Sequence, residues 1–236
     1  MTRIDSLLLI AVLLSGCAAA PPPLLSHAWT PDEDWWAEAS LYGGRFKTRD
    51  GSIKIVNALH ATNLHEVNRK IREQSAFPVN IALLDDDGLN AFATDTNGER
   101  QIVLTLNFLA AIGHDRDALA TSIGHEVAHL QYAHGAARKE RNPAGLIDGA
   151  AFASVNAVNT SFSRFEEREA DILGMEWAVA AGFSPCGSAR TVRILAAHGA
   201  GADGDSFLAT HPGRQERIAR ANEMARKLTG RGCGRR

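Results

Sequence analysis

The motif at residues 125–129 constrains this chain more than any other stretch, because it reads H-E-x-x-H. On a helix, His125 and His129 lie one turn apart and share a face. Two imidazoles at that spacing can hold one Zn²⁺ ion, and Glu126 is then placed to take a proton from a metal-bound water. The alternative is an ordinary amphipathic helix with two surface histidines. The segment also carries an apolar stripe at helical spacing, formed by Ala118, Leu119, Ile123, Val127 and Leu130.

The overall composition is that of a folded protein. The chain has 236 residues, of which 45% are hydrophobic, so it can bury a core, and we expect a single folded domain. Its formal net charge is −2. That charge gives no electrostatic reason to expect nucleic acid as a partner.

Residues 1–16 have the pattern of a secretory signal peptide. Arg3 supplies a positive charge, and residues 7–14 form an apolar run that is too short to span a bilayer. The Leu-Ser-Gly-Cys box that ends at Cys17 resembles the lipoprotein signal of bacteria, in which the cysteine becomes the lipid-modified first residue. Cys17 is therefore the expected lipid attachment site, and Ala18 behind it favours the outer membrane over the inner one.

A tether and one domain follow the signal peptide. Residues 17–30 contain three consecutive prolines, which favour an extended, semi-rigid spacer. Residues 31–236 are expected to form one domain. The patterns in it predict a helix from about residue 53 to residue 74, strands at 77–84, 90–93 and 101–106, and helices at 163–181, 185–198 and 212–228. Asn97-Gly98 predicts a hairpin turn between the last two strands. This combination predicts an α+β fold with helices packed to one side of a small sheet.

Two stretches near the motif are harder to assign. The motif helix is expected to continue towards Arg141, where Asn142 and Pro143 break it. Residues 142–162 fit either a closely packed helix or a mobile lid.

A catalytic zinc site needs three protein ligands and one open position, so two histidines are not enough. His134 is the nearest extra histidine, but on a continuing helix it would lie about 180° around from His125, so we exclude it as a ligand. Sites of the thermolysin type use a glutamate from a second helix instead. Residues 163–171 offer three glutamates, and Asp171 among them could orient a zinc-bound histidine. A solvated, charged helix face is the alternative.

An ordered set of short motifs extends over about residues 55–225. The motifs are Asn90-Ala91-Phe92-Ala93, His125 to His129, Ser163-Arg164 with Glu167-x-x-Ala170-Asp171, Ala181-Gly182-Phe183-Ser184-Pro185, and Thr210-His211-Pro212 with Arg217. The set resembles metallopeptidase family 48, the HtpX and CAAX-prenyl-protease-type gluzincins. Within that family the chain looks most like the small periplasmic lipoproteins, which lack transmembrane helices.

The resemblance implies a metal site and its ligands. The fold would be mostly helical and of the zincin type, with one Zn²⁺ ion per chain. His125, His129 and Glu167 would bind the metal, and Glu126 would be the catalytic base. Asp171 would stand behind the ligands as a second carboxylate, one turn beyond Glu167 on the same helix face.

The resemblance also implies how substrate is held. The segment from Asn90 through Ala91 and Phe92 to Ala93 matches an edge strand that lines the active-site cleft and pairs with the substrate peptide. His211, with Arg217 behind it, matches a His-Pro segment that approaches the metal from the C-terminal side. His211 could support the oxyanion, or it could bind zinc in a resting state and block water.

The implied function is that of a zinc endopeptidase of the bacterial cell envelope. Its substrates would be unfolded or misassembled envelope polypeptides, and the lipid on Cys17 would anchor it to the periplasmic face of the outer membrane. One alternative is a chaperone or assembly factor for outer-membrane proteins with little proteolysis. Another is a zinc hydrolase directed at peptidoglycan. The presence of Glu126 favours catalysis, because a protein that only binds has no need of a base beside the metal.

Two cysteines remain besides Cys17. In an oxidising compartment, Cys186 and Cys233 either form a disulfide that ties the C-terminal tail to the body or stay free. The sequence leaves both open.

Overall fold

The computed structural model describes residues 28–48, 50–96, 99–135, 162–199, 206–211 and 213–234. The N-terminal half contains β1 (Ala28–Trp29), α1 (Glu33–Tyr42), β2 (Gly44–Lys47), β3 (Ile53–Val56), α2 (Ala58–Ser75), β4 (Asn80–Leu84), β5 (Ala91–Thr96) and β6 (Glu99–Thr105). The C-terminal half contains α3 (Leu106–Ile112), α4 (Arg116–Gln131), α5 (Arg164–Ala180), α6 (Cys186–Ala197), α7 (Phe207–Thr210) and α8 (Arg214–Thr229). The predicted α+β fold, mostly helical with a small sheet, is confirmed.

The main sheet has four strands in the order β1-β4-β6-β5. Strands β4 and β6 are parallel, with Ile81 opposite Ile102, and β5 runs antiparallel to β6, with Phe92 opposite Val103. This antiparallel pairing confirms the predicted hairpin, and it leaves β5 at one edge of the sheet. A separate two-stranded sheet joins β2 to β3.

Helix α4, which carries the H-E-x-x-H motif, lies at the centre of the fold. It contacts α2, α5, α6 and β5. Every residue from Ala118 to His129 is buried, as expected of a helix surrounded by other elements. The apolar core around it contains Leu64, Ile71, Ile102, Leu104, Phe108, Leu119 and Ile123. The motif is therefore held by packing on all sides.

The structure corrects three predicted boundaries. Residues 53–56 form β3 instead of the first turn of a long helix, and the Asn57 side chain starts α2 by accepting a hydrogen bond from the Leu59 amide. Three β-branched residues in Ile53-Lys54-Ile55-Val56 explain the preference for a strand. Helix α4 ends at Gln131, well before Arg141. Ala28 and Trp29 pair with β4, so the folded body begins ahead of residue 31.

A disulfide bond joins Cys186 at the start of α6 to Cys233 beyond α8. Of the two alternatives left open by the sequence, the structure has the bridge that ties the C-terminal tail to the body. Among the described helices, none is long and apolar enough to cross a membrane. Cys17, the signal peptide and most of the predicted tether lie outside the described residues, as does nearly all of the stretch 142–162.

Candidate metal centre

The two histidines of the motif point the same way from α4. The Nε2 atoms of His125 and His129 lie 3.0 Å apart, and both side chains are buried. The one-turn spacing therefore produces the shared face that was predicted. Glu126, the residue between them in the motif, is also completely buried.

Helix α5 approaches α4 at two glycines. A Cβ atom built on Gly174 would lie 2.5 Å from the backbone nitrogen of His125, and one on Gly124 would lie 2.7 Å from the carbonyl oxygen of Gly174. Such distances leave no room for a side chain at either position. Ala170 is also fully buried, one turn before Gly174. Small residues at these positions therefore let the second helix come close to α4.

This approach places the Glu167 carboxylate beside both histidines. Its Oε1 lies 3.3 Å from Nε2 of His129, and its Oε2 lies 3.6 Å from Nε2 of His125. Asp171 lies behind His125, with its Oδ1 3.0 Å from Nδ1 of that ring. A carboxylate at Nδ1 fixes the imidazole so that Nε2 is the atom free to bind a metal.

The other two glutamates of the run have different surroundings. Glu166 belongs to the capping box at the start of α5, where its Oε2 accepts a hydrogen bond from the Ser163 amide, 2.8 Å away. Glu169 contacts His134, with its Oε2 3.0 Å from Nε2 of that ring. Neither belongs to the group of residues that could share a metal ion. Of the three candidates, only Glu167 has the position of a ligand.

His211, at the end of α7, completes the cluster. Its Nδ1 lies 2.9 Å from Oε1 of Glu167 and 3.1 Å from Nε2 of His125, and its Nε2 lies 3.4 Å from Oε1 of Glu126. One ligand atom from each of His125, His129, Glu167 and His211 can be chosen so that all four lie within 4.8 Å of one another. Phe207 packs against His211 from the preceding turn.

Two arginines of α8 hold the carboxylates from behind. The Arg217 guanidinium donates a hydrogen bond of 2.9 Å to Oε2 of Glu167, and its Nε lies 2.9 Å from Oδ1 of Asp171. Arg220 pairs with the other oxygen of Asp171. Arg217 lies behind the candidate ligands, where it was predicted, whereas Arg220 was not predicted. Its spacing of three residues from Arg217, which puts both on one helix face, was the available signal.

Burial controls the charge of the histidines. It lowers the pKa of His125 to about 4 and the pKa of His129 well below its ordinary value. Both rings are therefore neutral near pH 7, which is the form that binds a metal. Burial alone would raise the pKa of Glu167, but His211 and His125 outweigh it and hold that pKa below its usual range. The candidate donors from α4 and α5 are thus two neutral imidazoles and one carboxylate.

Glu126 has a different electrostatic environment. Burial raises its pKa to about 7, against the lowering effect of His211. Within the described part of the chain, neither of its carboxylate oxygens has a hydrogen-bond partner in good geometry. A buried carboxylate that lacks a well-aligned hydrogen-bond partner is costly unless another group forms a hydrogen bond with it. This environment fits a base that faces a water molecule at a metal.

The edge strand lies beside this carboxylate. The backbone amide of Ala93 lowers the pKa of Glu126, and β5 contacts α4. Asn90, just ahead of β5, accepts a weak hydrogen bond of 3.5 Å from Thr210, the residue before His211. No described strand pairs with the outer side of β5. The structure therefore brings the predicted edge-strand residues, Glu126 and His211 to one place.

One contact behind His129 was not predicted from the sequence. Helix α4 ends at Gln131, and Ala133 has a left-handed backbone with φ of 53°. That conformation costs roughly 1–2 kcal/mol for a residue other than glycine. It turns His134 back, so that its Nδ1 lies 2.9 Å from Nδ1 of His129. Phe162 stacks on the His129 ring at a centroid distance of 3.8 Å. The exclusion of His134 as a ligand stands, but its contact with a candidate ligand was unexpected.

The comparison with known families agrees with this geometry. The model of Peptidase family M48 matches residues 58–143 and 135–225, which together cover more than half of the chain. The chain belongs to this family. The M48 match includes the motif helix, α5, His211 and Arg217, and it establishes the chain as a metallopeptidase. A search of curated proteins found no match.

Proposed function

We propose that this M48 protein is a zinc endopeptidase whose metal is held by His125, His129 and Glu167. The observation that carries the proposal is the buried cluster in which the donor atoms of these residues and His211 lie within 4.8 Å of one another. Zn²⁺ accepts imidazole nitrogen at about 2.0–2.1 Å and carboxylate oxygen at about 2.0–2.2 Å. The separations between the donor atoms fit one such ion.

The residues present suit hydrolysis. When bound, zinc would polarise a peptide carbonyl and lower the pKa of a coordinated water. Glu126 lies beside His211, and its carboxyl pKa of about 7 lets it both take and return a proton near neutral pH. It takes the proton from the attacking water and passes it to the leaving amine. Arg217 holds the Glu167 carboxylate in its ligating orientation.

His211 has two roles open to it. Its Nδ1 lies near enough to Glu167 and His125 to serve as a fourth ligand, which would fill the position that water needs. Its Nε2 faces Glu126, which suits a hydrogen-bond donor to the oxyanion once substrate is bound. Either role requires His211 to contact the reacting atoms or the metal, so we assign it to the active site.

We infer that the substrate is an extended peptide that adds a strand to the outer side of β5. Backbone pairing supplies orientation and is tolerant of sequence. Ala91 and Ala93 of β5 have small side chains, and α4 with Glu126 lies close to this strand. Tolerance of sequence suits unfolded or misassembled envelope proteins as substrates, and hence a role in quality control.

We further propose that the protein is a lipoprotein on the periplasmic face of the outer membrane. The Leu-Ser-Gly-Cys box ending at Cys17, with Ala18 after it, supports this location. Cells that carry Cys17→Ser test it by fractionation. The variant should leave the outer membrane after a salt wash while the wild type stays. A variant that still sediments with outer membranes would contradict a lipid anchor.

The substrate class can be tested with the purified protein loaded with zinc. We expect cleavage of unfolded casein, slower cleavage of a compact folded protein of similar size, and no release of fragments from peptidoglycan. Suppression of aggregation without cleavage would favour the chaperone alternative. Release of peptidoglycan fragments without casein cleavage would favour the alternative of a zinc hydrolase directed at peptidoglycan.

A further inference from the structure

A chain of two hydrogen bonds extends from His129 away from the metal cluster. Nδ1 of His129 lies 2.9 Å from Nδ1 of His134, and Nε2 of His134 lies 3.0 Å from Oε2 of Glu169. His129 and His134 are buried, whereas the Glu169 side chain is one-third exposed. The contacts therefore link a candidate ligand to a carboxylate at the surface.

The direction of these hydrogen bonds follows from metal binding. Nε2 of His129 faces His125 and Glu167, so it is the atom that would bind zinc. A neutral imidazole bound through Nε2 carries its proton on Nδ1 and must donate it. Nδ1 of His134 then accepts, which leaves the proton of His134 on Nε2, facing the Glu169 carboxylate. Every donor in the chain has an acceptor.

The two candidate histidine ligands are thus held by different means. His125 has the Asp171 carboxylate directly at its Nδ1, 3.0 Å away. His129 is one turn further along α4, and there an imidazole bridges the gap to Glu169 on α5. The left-handed backbone at Ala133 brings that imidazole into place. Backbone strain of this kind is typical of positions where local geometry serves a functional site.

We propose that His134 and Glu169 are positioning residues that fix the orientation and tautomer of His129 for zinc binding. This inference rests on the zinc site of the proposed function. It gives Glu169 a role at the metal site that was not predicted from the sequence. Loss of an outer partner of this kind typically weakens metal binding by about 10–100-fold.

The test is the zinc dissociation constant, measured by competition with a chromophoric chelator. His134→Ala and Glu169→Ala should each raise it by about 10-fold or more. His134→Asn should recover part of the affinity, because the asparagine oxygen can replace Nδ1 of His134 as the acceptor. Glu176→Ala, at an exposed glutamate of the same helix, and His114→Ala, at an exposed histidine, are the matched controls and should match the wild type.

A second readout separates positioning from a loss of folding. In the zinc-loaded wild type, the Nδ1 proton of His129 should give a protected imidazole signal in ¹⁵N-edited NMR. The signal should disappear in His134→Ala and persist in Glu176→Ala. If His134→Ala does not fold, Glu169→Ala at the partly exposed end of the chain of hydrogen bonds and His134→Asn provide the same measurement.

The outcomes distinguish this inference from the proposed function. Zinc binding by His134→Ala and Glu169→Ala within about threefold of the wild type would overturn the positioning role alone, since a lost partner costs about 10-fold or more. A wild-type protein that binds no zinc would overturn the metal site and this inference with it.

Discussion

The backbone of Gly174 lies against the backbone of His125, so closely that a methyl group on Gly174 would come within 2.5 Å of the His125 nitrogen. This contact sets the distance between the helix that carries the histidines and the helix that carries Glu167. The geometry of the cluster therefore depends on a residue that has no side chain and binds nothing.

Gly174→Ala should separate the two helices. We expect the free energy of unfolding to fall by about 1–3 kcal/mol, because the added methyl group overpacks the contact. Zinc affinity should fall as well, since Glu167 moves with α5. Urea unfolding of the metal-free protein and zinc titration measure the two effects. Gly234→Ala adds the same methyl group where no described atom lies within 4 Å, and it should change neither.

Glu167→Gln should lose zinc affinity by a large factor, because it replaces the anionic ligand with a neutral amide. Glu166→Gln is the matched control on the neighbouring residue, since glutamine also completes a capping box. Zinc content after dialysis against a weak chelator compares the two variants. Retention of zinc by Glu167→Gln together with its loss from Glu166→Gln would show that the ligand is assigned to the wrong residue.

Much of the site could be predicted because its signals are local. Helical spacing placed His125 and His129 on one face, and the one-turn spacing of Glu167 and Asp171 identified the face of α5 that meets them. The hairpin between β5 and β6 followed from alternation and turn residues. These features depend on periodicity along the chain, which a sequence displays directly.

The rest depended on contacts that no periodicity encodes. A left-handed alanine at position 133 ends α4, and only its neighbours in space can stabilise it there. Glu169 faces away from the ligand stripe, yet it reaches His134, which the turn brings back. The link from Glu169 through His134 to His129 therefore could not be predicted from the periodicity of α5.

The pair formed by Asp115 and Arg190 should make stability depend on pH. Burial alone would raise the pKa of Asp115, but Arg190 outweighs it and holds that pKa below its ordinary value of 3.8. A lowered carboxyl pKa contributes stability that is fully present above pH 3.8 and is lost as pH falls through the folded-state pKa. Asp115→Asn keeps a residue that can cap α4, and it removes the charge together with one of the two oxygens that accept hydrogen bonds from Arg190.

We therefore expect Asp115→Asn to lower the free energy of unfolding by about 1 kcal/mol at pH 7, a value reduced for partial exposure of the pair. The difference from the wild type should shrink below about pH 4. Urea unfolding between pH 3 and pH 7 measures it. Glu73→Gln, in an exposed pair with Arg69, should differ little from the wild type at any pH. A difference for Asp115→Asn that grows towards low pH would contradict a lowered pKa of Asp115 in the folded state.

Removal of the disulfide should destabilise the C-terminal region. Cys186 and Cys233 are 47 residues apart, and loop closure of that length corresponds to about 4 kcal/mol, with typical losses of about 2–5 kcal/mol. The double variant Cys186→Ser with Cys233→Ser should show a loss in this range by urea unfolding. Addition of reductant should destabilise the wild type and leave the double variant unchanged. Equal stability of the two proteins under oxidising conditions would contradict the expectation.

The most direct test of the account is the hydrolysis of unfolded casein by Glu126→Gln loaded with zinc, compared with the wild type at equal zinc content. Glu126 is assigned as a base that binds no metal, so the variant should keep one zinc ion per chain and its fold. Its turnover should fall by about 10²–10⁴-fold, the usual contribution of general acid–base catalysis. Turnover within about tenfold of the wild type, or loss of zinc from the variant, would contradict the assignment of Glu126 as the catalytic base.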